Sequence, residues 1–284
     1  MNNKHLTFLD IIKLSAEYLE KRGVPNAKCD SEWIVSNITQ KKRVELYLNY
    51  GNIVAENHLN EIRKNIIDRG KRIPLQHILG KVHFAGNELV CDQRALIPRP
   101  ETELLTELVT NELGTSFKGK VLDLGTGTGG IIITLCKNLP HAIGLGVDIS
   151  KDALSLAKEN LAVNQIKNLE IKSFDWNNDK FNETFDAIIA NPPYLSEEEW
   201  KSAEPEVKFF DPKMALVAKE NGIADIKKII KISEKNLRKS GLLALEIGIN
   251  QGNIVADMMS LSFYNINIAK DYCKKNRFIM AKKK

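Results

Sequence analysis

The 284 residues, 43% hydrophobic and 27% charged, have the composition of a soluble globular chain long enough for one large domain or two ordinary ones, which sets fibrous and disordered classes aside. Four cysteines, Cys29, Cys91, Cys136 and Cys273, lie far apart with no C-x-x-C pair, a pattern that fits free thiols in a reducing cytosol and offers no metal site. No stretch is apolar enough to span a membrane, and the opening MNNKHLTFLD has no signal core, so a cytoplasmic protein is expected.

The first 80 residues read as a small helical bundle. Thr7 can cap a helix whose stripe is Phe8, Leu9, Ile11, Ile12, Ala16 and Leu19, stopped by Gly23. Ala27–Ile38 repeats the spacing with Trp33, Ile34 and Ile38. A third segment carries Val44, Leu46, Tyr47 and Leu48, and a fourth, Glu56–Arg69, ends at Gly70. The whole +5 net charge falls in residues 1–82. That suits an acidic partner surface or RNA, and equally a solvated helical surface.

Residues 81–100 read as a linker. Val82–Phe84 and Leu89–Cys91 flank Ala85-Gly86-Asn87-Glu88, a plausible hairpin, and the proline-stiffened Ile97–Glu103 leads into a helix starting at Pro100. Residues 101–284 then alternate strand and helix. The strands are Val121–Leu124, Ile143–Val147, Leu169–Ile171, Ala187–Ala190 and Leu242–Ile247, and the helices Gly129–Asn138, Lys151–Val163 and Ile223–Lys239. The alternation implies parallel strands with right-handed crossovers. A helix near Gln251–Ser260 precedes Tyr264–Ala269 and Phe278–Ala281, close enough to pair antiparallel. Lys282–Lys284 reads as a frayed tail. The fold class is therefore α/β, a Rossmann-like sheet closed by an antiparallel hairpin, with an N-terminal helical bundle.

Val121–Leu124 runs into Gly125-Thr126-Gly127-Thr128-Gly129-Gly130, a glycine loop that lets backbone approach a ligand. Asp148, after the next strand, can accept two ribose hydroxyls. Gly125, Gly127 and Gly130 also satisfy G-x-G-x-x-G, so a nicotinamide cofactor and a merely structural turn both stay open. Asp123 argues against a pyrophosphate, since its carboxylate would repel one while serving the ammonium of a methionine moiety. In Asp175-Trp176 the ring can cover an adenine face and the carboxylate can reach its amino group, with ordinary packing of Trp176 as the other reading.

Asn191-Pro192-Pro193-Tyr194 follows the strand Ala187–Ala190. The prolines stop helix formation and fix the carbonyl directions at the sheet's carboxyl edge. The Asn191 side-chain oxygen and the Pro192 carbonyl can accept both N–H bonds of one NH2 group, and Tyr194 can stack on a flat acceptor. Such a turn suits a planar amide or amine nitrogen, whose lone pair is delocalised and must be aimed at a strong electrophile.

Here the residues resemble a known family. Class I methyltransferases acting on planar NH2 groups carry [DNS]-P-P-[YFW]. Within them this chain resembles the release-factor glutamine methyltransferases, the PrmC/HemK family, over nearly its whole length. Arg72-Ile73-Pro74-Leu75-Gln76-His77-Ile78-Leu79-Gly80 is similar to R-x-P-L-Q-Y-I-x-G, with His77 departing from the usual Tyr. Phe84, Gly86, Leu96–Glu103, Asp123–Gly129, Asp148, Asp175-Trp176, Asn191–Tyr194, Glu246–Gly248 and Gln251-Gly252 also match. Pro98-Arg99-Pro100-Glu101 stands where paralogues that modify a ribosomal protein have P-R-S-P. The resemblance implies S-adenosylmethionine as cofactor, S-adenosylhomocysteine as product, and methylation of the glutamine in the Gly-Gly-Gln loop of class-1 peptide chain release factors. It implies that Gly125–Gly129, Asp148 and Trp176 bind the cofactor and Asn191–Tyr194 the substrate glutamine. Phe84, Arg99 and Glu101 lie close enough in sequence to the domain junction to shape the mouth of the site, or else to pack a linker. A nucleic-acid adenine-amine methyltransferase shares the Asn-Pro-Pro-Tyr turn but needs a DNA-binding surface, and the catalytic half is charge-balanced. A catalytically silent module would not need the intact turn. No stable nucleic-acid partner, no membrane and a monomer are the expectations.

Overall fold

The protein is described by a computed structural model covering residues 6–284. The chain divides into two compact units between Gly80 and Lys81.

The first unit holds α1 (Phe8–Lys21), α2 (Ala27–Thr39), α3 (Arg43–Leu48), α4 (Glu56–Gly70) and α5 (Leu75–Leu79). Thr7 caps α1 reciprocally with Asp10: the Asp10 N–H donates to Thr7 Oγ1 at 3.2 Å and the Thr7 N–H to Asp10 Oδ2 at 3.1 Å. Phe8, Ile12, Leu19, Ile34, Leu46, Ile62 and Ile66 meet in one core. Arg69 of α4 donates from Nε to Asp30 of α2 at 2.7 Å, an ion pair buried beside that core. In the third segment Leu46 is buried, while Val44 and Leu48 are 64% and 83% exposed. A six-residue helix has too few turns to bury four apolar side chains on one side.

The second unit opens with a hairpin, β1 (Lys81–Phe84) and β2 (Asn87–Val90), paired with Phe84 opposite Asn87. Its turn is two residues, Ala85 (φ 45°) and Gly86 (φ 76°), rather than the four expected. Two left-handed residues match the strands' twist, and the Asn87 side chain closes the turn onto the Ala85 carbonyl at 3.3 Å. There follow α6 (Pro100–Leu113), β3 (Lys120–Leu124), α7 (Gly130–Asn138), β4 (Ile143–Asp148), α8 (Lys151–Val163), β5 (Leu169–Ser173) and β6 (Phe185–Ala190). The chain continues with α9 (Glu197–Lys201), α10 (Pro205–Phe210), α11 (Lys219–Gly222), α12 (Ala224–Asn236), β7 (Leu237–Glu246), α13 (Gly252–Met259), β8 (Phe263–Lys270) and β9 (Asn276–Lys283).

Seven strands form one sheet in the order β5-β4-β3-β6-β7-β9-β8. The first five run parallel, and β9 pairs antiparallel with both β7 and β8. From β3 the chain builds outward through β4 and β5, then returns to lay β6 against β3's other side. That reversal opens a crevice at the carboxyl ends of β3 and β6, where sheets of this kind bind ligands. Asp123 of β3 stands opposite Ile189 of β6, each one residue from its strand's end. The loops that follow, one glycine-rich and one proline-rich, are therefore neighbours.

Two further expectations are corrected. The helix expected over Ile223–Lys239 ends at Asn236, because buried Leu237 already pairs with Phe185, and Arg238 donates to Asp186 at 2.8 Å across the irregular start of β7. The tail expected to fray is strand: Lys282 lies opposite Leu242, and Lys283 Nζ donates to the Leu237 carbonyl at 2.7 Å. Lysine side chains can reach solvent while the backbone completes the ladder.

Candidate active site

The glycine loop is built backbone first. The Gly125 and Thr126 N–H groups both donate to the Val147 carbonyl, at 2.8 and 2.9 Å, which folds the loop over the end of β4. Gly125 (φ 77°) and Gly127 (φ 55°) are left-handed. A side chain on Gly125 would meet the Trp176 ring at 3.5 Å, whereas one on Gly127 would project into open space. Asp148 accepts from the Gly127 N–H and the Ser150 N–H, each at 2.9 Å, so its carboxylate is held by two fixed donors. Among the described residues it forms no ion pair. Asn160, buried in α8, donates to the Thr128 carbonyl at 3.0 Å and accepts from the Val90 N–H at 2.7 Å, tying the loop to the hairpin.

Asp123 is completely buried and accepts from the Thr126 hydroxyl at 2.6 Å, while its Oδ1 has no hydrogen-bond partner. Burial pushes its carboxyl up to about 7, against the Thr126 hydrogen bond and with help from the nearby Asp148 charge. An unfolded aspartate titrates near about 3.9. Between those values the folded state holds a proton that the unfolded state has released, so stability falls as pH rises from about 4 through about 7. The cofactor-free protein should therefore lose melting temperature between pH 5 and pH 8, with a shallower slope in Asp123→Asn. Equal slopes in calorimetric scans of the two proteins would disprove the burial effect.

The proline-rich turn is anchored from behind. Asn191 Nδ2 donates to Thr102 Oγ1 at 3.1 Å, and the Thr102 hydroxyl donates to Glu246 Oε2 at 2.7 Å. The Tyr194 hydroxyl donates to Glu246 Oε1 at 3.1 Å. Gln251 Nε2 donates to the Tyr194 carbonyl at 3.0 Å, and its Oε1 accepts from the Gly248 N–H at 2.8 Å. Burial raises the Glu246 carboxyl, opposed by the Thr102 and Tyr194 hydrogen bonds and the Arg277 charge. Burial, then the neighbouring Glu246 charge, raises the Tyr194 hydroxyl.

Both loops border one cavity. Of the residues singled out in the sequence, Gly125, Thr126, Gly127, Thr128, Asp148, Trp176, Asn191, Pro193, Phe84 and Arg99 line it. Gly129, Asp175, Glu101, Pro192 and Tyr194 do not. Asp175 is spent on its own turn, accepting from the Asn177 N–H at 2.9 Å and Asn178 Nδ2 at 2.6 Å, and Tyr194 is drawn to Glu246. Asp123 is also absent from the lining and acts on it through Thr126. Arg99 pairs with buried Asp211, which also accepts the Ile97 N–H at 3.3 Å. This clamp brings Pro212, Met214 and Ala215 to the wall. Sequence reading missed Asn160, Asp211 and the bridging use of Thr102 and Glu246. The one available signal was Asp211-Pro212, a turn-initiating pair.

An open glycine, a doubly held carboxylate and a ring over Gly125 could together hold a nucleoside-type cofactor. The buried Asp123 beneath the loop, with one oxygen unpartnered, offers no donor to a pyrophosphate once ionised and so disfavours one there. Residues 99–208 match the family model "Methyltransferase small domain", and residues 10–80 match "PrmC N-terminal domain". The catalytic domain of hMettl16, solved with a MAT2A 3′UTR hairpin, superimposes with a TM-score of 0.57 over 80% of this chain and 81% of that one, at 13% identity, and so shares the fold. Sheet, cavity and matched domain define an S-adenosylmethionine-dependent methyltransferase of the Rossmann-like class.

Its relatives narrow the class. The release factor glutamine methyltransferase of Fusobacterium nucleatum is 36% identical over 97% of this chain and 78% of its own length. That of Thermodesulfovibrio yellowstonii is 35% identical over 89% and 92%. The chain belongs to the release factor glutamine methyltransferase family.

Proposed function

We propose that this protein transfers a methyl group from S-adenosylmethionine to the side-chain amide nitrogen of the glutamine in the Gly-Gly-Gln loop of class-1 peptide chain release factors. The observation that carries this reading is the position of Asn191. It stands on the wall it shares with the glycine loop, its amide nitrogen is spent on Thr102, and its oxygen is left for an incoming N–H.

When bound, S-adenosylmethionine supplies a methyl group on a sulfonium, an electrophile strong enough that no base need act before transfer. The protein's task is orientation. Asn191 Oδ1 accepts one N–H bond of the substrate amide, and Pro193, on the same wall, keeps the turn extended beside it. The amide plane is then pinned and electron density is kept on nitrogen. Tyr194 holds the turn from behind through Glu246 rather than stacking on the substrate. Gly125–Thr128 would offer backbone to the cofactor, Asp148 would take the ribose hydroxyls, and Trp176 would cover the adenine. Phe84 and Arg99 shape the mouth, Arg99 through its hold on Asp211.

Asp148→Ala removes the ribose acceptor and leaves two N–H groups unanswered. Its affinity for S-adenosylmethionine should fall roughly tenfold to a hundredfold, the worth of hydrogen bonds to a charged group. Titration calorimetry reads this directly, and an unchanged Kd would remove Asp148 from the cofactor site.

The first unit, with its basic excess and the exposed Val44 and Leu48, supports a role in gripping the factor. A factor that works on ribosomes places the activity in the cytoplasm, and no helix among the described residues is long and apolar enough to cross a membrane. A monomer is the state expected for this protein, a point light scattering decides. To test the acceptor, the protein is incubated with labelled methyl donor and either unmethylated release factor or unmethylated duplex DNA. Label on the factor's glutamine is expected. Label in DNA alone, or in neither, would overturn the proposal.

A further inference from the structure

We infer that Thr102 and Glu246 are positioning residues: Glu246, acting through the Thr102 hydroxyl, decides which end of the Asn191 amide faces the acceptor. The inference rests on the proposed reading of Asn191 as the group that accepts a substrate N–H.

A primary amide is nearly symmetric in shape, so packing alone does not tell its oxygen from its nitrogen. Its hydrogen-bond neighbours do. Asn191 has one such neighbour among the described side chains, Thr102 Oγ1 at 3.1 Å. A hydroxyl can donate or accept, so Thr102 would tolerate either end of the amide unless its proton were committed. Glu246 commits it. That carboxyl is 1% exposed and both its oxygens accept, Oε2 taking the Thr102 proton at 2.7 Å and Oε1 the Tyr194 proton. Thr102 has only lone pairs left, so Asn191 must offer it NH2, and Oδ1 takes the opposite side.

The other arm of Glu246 makes the choice one-sided. The Tyr194 hydroxyl donates to Oε1 at 3.1 Å and receives Arg277 Nη1 at 3.5 Å. Arg277 is a permanent donor and Asn191 ends the chain at the other side. The order of donation runs from Arg277 to Tyr194 to Glu246, and from Asn191 to Thr102 to Glu246. Every proton points at one carboxylate, contributed by the last residue of β7. It sits 55 positions after Asn191 and 144 after Thr102, near Asn191 because β6 and β7 are adjacent.

Glu246→Gln tests the polarity with little change of shape. Arg277 keeps Tyr194 donating, so the glutamine turns its oxygen to Tyr194 and its NH2 to Thr102. Thr102 must then donate to Asn191, and Asn191 presents NH2 to a substrate that also presents NH2. With release factor as acceptor, kcat should fall roughly tenfold to a hundredfold, the scale seen when one oriented group is lost from an active site. The Kd for S-adenosylmethionine should stay within about twofold, well under the tenfold that 1.4 kcal/mol would produce. Thr102→Val should also lower kcat, and Thr102→Ser, which keeps the hydroxyl, should restore it.

The decisive comparison is a double mutant. In an Asn191→Ala background, Glu246→Gln should cost little more, because there is no amide left to orient. Additive losses would mean that Glu246 acts elsewhere, and wild-type kcat in both Glu246→Gln and Thr102→Val would likewise overturn the inference. If Glu246→Gln does not fold, Thr102→Val against Thr102→Ser carries the same test. Failure of the underlying reading looks different: wild-type protein would then not label the factor, or Asn191→Ala would retain full transfer.

Discussion

Asn191→Ala is expected to lose methyl transfer while keeping the cofactor. The side chain touches the cavity with one end and Thr102 with the other, and none of the hydrogen bonds that shape the glycine loop involves it. Removing it deletes the side-chain acceptor that faces the substrate NH2 and leaves the amide free to rotate out of line. Loss of one oriented group at such a site costs about 3 kcal/mol, on the order of a hundredfold in kcat. The fold should tolerate the change. The side chain is half-buried, and Thr102 keeps Glu246 as a partner, so the thermal midpoint should move by no more than about 3 °C for a stability loss of order 1 kcal/mol. Single-turnover kinetics with saturating cofactor, beside calorimetric binding of S-adenosylmethionine, separates the two effects. Cofactor binding lost in step with transfer would move Asn191 from the acceptor to the cofactor.

Gly222→Ala should damage both stability and transfer, from a position 28 residues beyond the end of the proline-rich turn at Tyr194. Gly222 has φ 86°, and an added Cβ would lie 2.0 Å from the Tyr194 carbonyl oxygen and 2.7 Å from Gln251 Nε2. The first is backbone and cannot swing away; the second is the group that holds that carbonyl at 3.0 Å. Glu220 and Asn221 are already left-handed, at φ 55° and 53°, so the segment has little freedom to absorb a shift. The left-handed conformation costs an alanine about 1–2 kcal/mol and the overlap about 1–3 kcal/mol more. A drop of roughly 10 °C in Tm follows for a unit of this size. Moving the Tyr194 carbonyl also shifts the turn that aims Asn191, so kcat should fall at temperatures where the variant is folded. A variant with wild-type Tm and kcat would mean that Gly222 does not abut the turn.

Sequence by itself determined much of this protein, wherever the signal is local. The strand-then-glycine run at Val121–Gly130, the carboxylate after the next strand at Asp148, and the Asn-Pro-Pro-Tyr turn are dictated by backbone rules acting over a few residues. The alternation of strand and helix, and the closing hairpin, follow from spacing in the same way. Boundaries were legible only to within a few residues, as at Leu237, where burial against Phe185 outweighs a helical pattern, and at the lysine tail, where ladder pairing outweighs charge. Tertiary structure decided the rest, because hydrogen bonds between distant residues leave no periodic trace. Strand order made the two loops neighbours. It gave Arg99 to Asp211, turned Asp175 onto its own loop, buried Asn160 between hairpin and glycine turn, and set Glu246 where it can direct Asn191 through Thr102. Those partners are 144 positions apart at the extreme, and only the fold, which brings separate strands to a common edge, makes them a single site.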